Sequence, residues 1–180
     1  MTPSETQANI LADQLLIVAT QKVSNSFDTF SGWLATGFGA AFALFLANLG
    51  SISKFVTIGS IKCAALLFLA SAVLAVIAKL LASFIAAGTA AAIEGAALGK
   101  DLAERQVQID VAMFFAETEK ALFWPGSWFA RKAFAKAQSG DFAGPGRMYT
   151  KVAQSQALIV VIQAVLSLIA AVVIVRGLAV

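Results

Sequence analysis

Long apolar runs separated by short polar interruptions dominate the chain. Residues 31–50, SGWLATGFGAAFALFLANLG, carry no charge. A second run starts near Cys63 and reaches about residue 99, with only Lys79 and Glu94 inside it. A third, ALIVVIQAVLSLIAAVVIV, fills residues 157–175. A helix of about 20 residues covers the ~30 Å of bilayer hydrocarbon, so each run predicts a spanning helix. Residues 4–24 follow another pattern. Leu11, Leu15 and Val18 recur at helical spacing among polar residues, which predicts an amphipathic helix. Ser4 and Gln7, just after Pro3, have capping-box spacing. The short stretch 51–62, with Ser, Thr, Gly, Lys54 and Lys62, predicts a turn that makes the first two spans an antiparallel hairpin.

Lys79 interrupts the most apolar part of the chain. From Lys62 to Lys79 is ~25 Å of helix, an acceptable span if both lysines snorkel to the interfaces. No Pro or Gly-Gly pair breaks the run at Lys79, so the helix is expected to continue past it, as far as Leu122. In helical projection Ala72, Ala75, Ala82, Ser83 and Ala86 share the side of Lys79, and Leu74, Ile77, Leu81 and Phe84 lie opposite. Small-residue faces usually meet another helix. Ala35, Gly39 and Ala43 form such a stripe in the first run, as do Ala87, Ala91, Gly95 and Gly99 in the second. Gln156, Gln163 and Ser167 share one face of the third run. Polar groups there hydrogen-bond to neighbouring helices or line a water path. Lys79, Ser83 and Glu94 complete the candidate pore or interhelix polar positions. Glu94 lies about 22 Å along the helix from Lys79, so the two can pair only between shifted neighbouring chains.

The polar part between the second and third spans is expected to be helical. Asp101 with Arg105, and Glu117 with Lys120, have helix-pair spacing. In FWPGSWFARKAFAKAQ, residues 123–138, Pro125-Gly126 marks a turn between helices. Trp124 and Trp128, followed by Arg131, Lys132 and Lys136, suit the headgroup zone or a packed helical corner. Trp33 is expected at the interface of the first span. Residues 139–151 read as a loop around Pro145, and Gly-Pro-Gly-Arg lacks phosphate-loop spacing. The expected fold is thus an all-α integral membrane protein with three transmembrane helices. Residues 1–30 form an amphipathic N-terminal helix, 31–93 a transmembrane hairpin with an apolar extension, 94–154 a helical cytoplasmic segment, and 155–180 the last span.

Composition agrees. The chain is 59% hydrophobic and 13% charged, with mean hydropathy +0.84, whereas soluble domains run at about 45–50% and ~25%. Residues 1–21 hold no Lys or Arg and no clean apolar core, so an internal segment is expected to direct insertion. Most basic residues lie between Lys100 and Lys151. The positive-inside rule then places the N-terminus in the cytoplasm, with Lys54 and Lys62 opposing, and the expected location is a bacterial inner membrane. A net charge of +3 makes no case for nucleic acid.

No catalytic chemistry is legible. Histidine is absent and Cys63 stands alone, so no metal centre, disulfide or cofactor is expected. No Walker loop, dinucleotide fingerprint or nucleophile elbow occurs. Asp101 and Glu104 share a helix face, as many solvated acids do. The expected product is a self-assembling, non-enzymatic membrane protein of pore, channel or effector type, with cytoplasmic gating helices. The alternative is an accessory or scaffold subunit docking a partner membrane protein. In architecture alone the layout resembles small bacterial membrane effectors, in which a transmembrane hairpin carries helical cytoplasmic parts.

Overall fold

The computed structural model describes residues 2–53, 55–107, 110–122 and 126–178. Helices make up 89% of the described residues, and no strand occurs among them. In order they are α1 (Pro3–Ala47), α2 (Leu49–Ile52), α3 (Ile58–Glu104), α4 (Val111–Lys120), α5 (Gly126–Gln138) and α6 (Gly144–Arg176). Three helices, Ser4–Ala47, Ile58–Glu104 and Gly144–Arg176, are long and apolar enough to cross a membrane. At 47 residues α3 is about 70 Å long, more than twice the hydrocarbon thickness.

Helix boundaries follow local chemistry. The N-terminal helix and the first apolar run are one helix, because nothing between residues 24 and 31 breaks it. Its capping box is Thr2 with Glu5, not Ser4 with Gln7. Thr2 N–H donates to Glu5 Oε2 at 2.7 Å and Glu5 N–H to Thr2 Oγ1 at 3.3 Å. Pro3 has no N–H to donate and suits the first helical position, which fixes the cap one residue before it. α3 runs unbroken through Lys79 but stops at Glu104, well short of Leu122. Gln106 takes the left-handed conformation (φ 55°), with Gln106 N–H bonded to Ala103 O and Val107 N–H to Leu102 O. That pair of bonds is a Schellman stop. Asp110 then starts α4, accepting from Met113 N–H at 3.0 Å. α5 ends the same way, with Gly140 (φ 81°) in the left-handed position. The second half of the expected 139–151 loop is helix instead, since Gly144 and Pro145 open α6.

The chain divides into two compact units, Met1–Lys22 with Ile85–Val152, and Val23–Phe84 with Ala153–Val180. In the second unit α1 and α6 run parallel, since Ser24 bonds Gln156 and Ser31 bonds Gln163 at a constant separation of 132 residues. α3 runs antiparallel to both, with Ser71 opposite Ser167 and Lys79 opposite Asp28. Ala153, Gln156, Val160, Gln163, Ser167 and Ala170 are the buried positions of α6 here. Their alternating spacing of three and four is that of a coiled-coil seam. The far end of α6 is tied down by Thr57 N–H donating to Gly177 O at 3.1 Å, and Gly177 packs tightly on Ser60.

In the first unit α1, α3 and α6 meet through close glycine contacts. The ring of Tyr149 lies directly on Gly88. Gly146 lies against Asp13 and Leu16, and its N–H donates to Asp13 Oδ1 at 2.7 Å. Asp13 thereby satisfies one of the open amides at the start of α6. Thr20 Oγ1 and Thr150 Oγ1 are hydrogen-bonded at 2.9 Å. The Arg147 guanidinium hydrogen-bonds Asp141 and holds its carboxyl below the usual carboxylate range.

Candidate functional site: a polar seam between three long helices

The second unit reverses the polarity of a water-soluble protein. Its buried seam carries Ser24, Ser31, Ser71, Gln156, Gln163 and Ser167, beside apolar residues that include Ala64, Ala78, Ala82, Ala153 and Ala170. Its exterior carries Leu66 (68% exposed), Leu69 (61%), Leu158 (62%) and Val175 (65%). Apolar cover on this scale marks a surface suited to contact with a membrane or with another protein.

Two identical clasps tie α1 to α6. Ser24 Oγ donates to Gln156 Oε1 at 2.7 Å, and Gln156 Nε2 donates back to Ser24 O at 3.2 Å. One heptad on, Ser31 Oγ donates to Gln163 Oε1 at 2.6 Å, and Gln163 Nε2 to Ser31 O at 3.2 Å. A glutamine amide has both acceptor and donor, so one side chain closes both bonds. Serine suits the opposite position, because its short side chain lets the glutamine reach the backbone carbonyl beside it. α3 joins through Ser71, whose Oγ lies 2.7 Å from Ser167 Oγ and donates to Gln163 O at 3.2 Å. Ser167 Oγ also donates to Gln163 O, at 3.0 Å. Gln156 and Gln163 are 0% exposed. No buried side-chain polar atom among the described residues lacks a partner.

Lys79 meets Asp28 of α1, Nζ to Oδ2, at 2.6 Å. The sequence pattern pointed Lys79 toward a neighbouring helix without showing which residue would meet it. Ser83 is exposed and its Oγ donates to Lys79 O at 3.0 Å, so it serves its own helix. Glu94 is exposed. Of the small-residue stripes, Ala35 and Gly39 are half-buried, and a methyl group on Gly39 would touch Phe68 at 3.7 Å; Ala43 is exposed. Ala87, Ala91, Gly95 and Gly99 are all exposed, with open space beside both glycines.

Among the described residues, Trp128, Arg131, Lys132 and Lys136 are drawn into local contacts, and Trp33 is not. Trp33 is 76% exposed. Trp124 lies outside the described residues. Trp128 is exposed, with Lys132 Nζ 3.9 Å above its ring and Phe129 edge-on to it. Arg131 Nε donates to Glu119 Oε1 at 2.8 Å, tying α5 to α4, and Lys136 Nζ lies 3.4 Å from Asp141 Oδ2. The pairs Asp101–Arg105 (3.0 Å) and Glu117–Lys120 (2.6 Å) form as their spacing predicts. Among the described residues, no group of three His, Cys, Asp or Glu is placed to hold a metal ion.

Ser24, Ser31, Ser71 and Asp28 were not singled out from the sequence. The signal that could have found the first two is their seven-residue spacing, repeated in Gln156 and Gln163. No protein-family model matches the chain, and neither a curated protein nor a solved structure matches it.

Proposed function

We propose that the chain is a non-enzymatic, multi-pass membrane protein that self-assembles into a pore- or effector-type oligomer, with any conduit between chains and not within one. The supporting observation is the closed seam. Gln156, Gln163 and Ser167, the candidate path-lining groups of α6, are buried together with Ser71 and bonded to one another or to α1. The bilayer is the environment that an apolar exterior and a polar seam both require. The N-terminus and residues 94–154 lie in the cytoplasm on the charge rule, in a bacterial inner membrane, and the helices there gate the assembly.

The self-assembly surface is the exposed Ala87, Ala91, Gly95 and Gly99 stripe, where helix backbones can approach closely. On the exposed face before Lys79, α3 presents Leu66, Leu69, Val73 and Val76, residues suited to lipid. Beyond it the exposed residues are mostly small, as helix contact requires. Reconstituted in liposomes, the wild-type protein is expected to pass ions. Gly95→Leu/Gly99→Leu is expected to lower the flux at least tenfold, since both positions are open in the single chain and the fold tolerates them. Undiminished flux from that variant sinks the assembly surface. Absence of flux from the wild type at every voltage and pH leaves the second reading, a scaffold subunit whose open stripe docks a different membrane protein.

A further inference from the structure

We propose that the exposed side of α1 at Asn25, Ser26, Thr29, Phe30 and Trp33 seats one phospholipid, its glycerol–phosphate region against the polar residues and an acyl chain along the two rings. These five residues line a shallow concavity of about 490 Å³ within the second unit. Its openness suits a ligand that leaves most of its length in the bilayer.

Three observations select a lipid. The first is the order of polarity along the helix. Asn25, Ser26 and Thr29 hold one end, Phe30 and Trp33 the other, and Asn25 to Trp33 covers about 12 Å. A phospholipid has this order over this distance, polar at the glycerol and phosphate and apolar below them.

The second is depth. From Ala47, the end of α1, back to Thr29 is ~27 Å of helix, and back to Asn25 ~33 Å. The ~30 Å hydrocarbon layer therefore ends inside the concavity. Asp28 bonded to Lys79 marks the same level on another side of α1, and Lys79 is ~25 Å of helix from Lys62. Trp33 then sits about 9 Å of helix inside the boundary, at the depth of the upper acyl chain.

The third is chemistry left available. Thr29 Oγ1 donates to Asn25 O at 2.9 Å, so its proton is engaged within α1. The Asn25 carboxamide makes no hydrogen bond among the described residues. It offers two donors to phosphate or ester oxygens at a level where those oxygens lie. The inward side of α1 at the same level is already occupied by the Ser24 and Ser31 clasps. The inference rests on the chain being embedded in a bilayer, and not on its assembling with copies of itself.

Native mass spectrometry of the full-length protein in detergent, titrated with phosphatidylglycerol or phosphatidylethanolamine, tests it. Wild type is expected to retain one phospholipid per chain. Asn25→Leu/Trp33→Leu, both at exposed positions, is expected to weaken retention at least tenfold with the oligomer mass unchanged. Leu69→Ala, on an exposed apolar face elsewhere, is expected to leave retention as in wild type. Equal retention by wild type and the double variant overturns the site, as does an equal loss from Leu69→Ala. A double variant that changes the oligomer mass but keeps its lipid assigns the concavity to a second chain instead. Preference between the two lipids would show whether the headgroup or only the shared glycerol–phosphate is read.

Discussion

Gln163→Leu is expected to destabilise the chain by about 1–2 kcal/mol, even though leucine is close to glutamine in size and the neighbourhood is largely apolar. Gln163 accepts from Ser31 Oγ and donates to Ser31 O from a position that is 0% exposed. Leucine leaves the Ser31 hydroxyl without its partner in a dry seam, and that desolvated group carries the cost. The magnitude stays moderate because hydrogen bonds between membrane helices average only ~0.6 kcal/mol in measured cycles, with a ceiling near ~1.7. Removing both partners at once, Ser31→Ala with Gln163→Leu, should recover most of the loss. Reversible unfolding in mixed micelles of wild type, the two single variants and the double gives the coupling directly. A double variant as unstable as the sum of the singles would mean that the clasp is incidental contact.

Gly146→Ala is expected to cost about 1–3 kcal/mol, the range of an overpacked core substitution. A methyl group there would lie 2.7 Å from Asp13 Oδ1, 3.0 Å from Leu16 Cβ and 3.1 Å from the backbone oxygen of Asp13. Two of those atoms cannot swing aside, so α6 would have to retreat from α1 and lengthen the Asp13 cap. Gly95→Ala is the internal control: it meets open space, and alanine favours helix over glycine by up to ~1 kcal/mol. The thermal midpoints in detergent should therefore move in opposite directions. An unchanged midpoint for Gly146→Ala would remove the close approach as the reason for glycine at the start of α6.

These two sites show where sequence patterning ends. Three long apolar helices and the passage of α3 through Lys79 were legible, because hydropathy and the lack of breakers act locally. The shared face of Gln156, Gln163 and Ser167 was legible for the same reason. Their partners were not, since Ser24 and Ser31 look like ordinary polar residues at the end of the amphipathic helix and the start of the first apolar run until the register between α1 and α6 is known. Asp28 was hidden likewise: pairing it with Lys79 needs the antiparallel register of α1 and α3. The stop at Gln106 could not be read, because a left-handed glutamine has no composition signal of the kind that glycine gives at Gly140. Gly-Pro-Gly-Arg was read as part of a loop because Pro145 stands between two glycines. In the structure Gly144 and Gly146 are instead places where Lys136 and Asp13 come too close for a side chain.

As proposed, a chain whose own polar seam is closed works as an oligomer joined through the small-residue stripe of α3. The direct measurement is the mass of the purified protein in mild detergent, by light scattering coupled to size exclusion. The wild type is expected to run as one closed oligomer and Gly95→Leu/Gly99→Leu as a monomer. A monomeric wild type, or a polydisperse smear insensitive to the two substitutions, would contradict it.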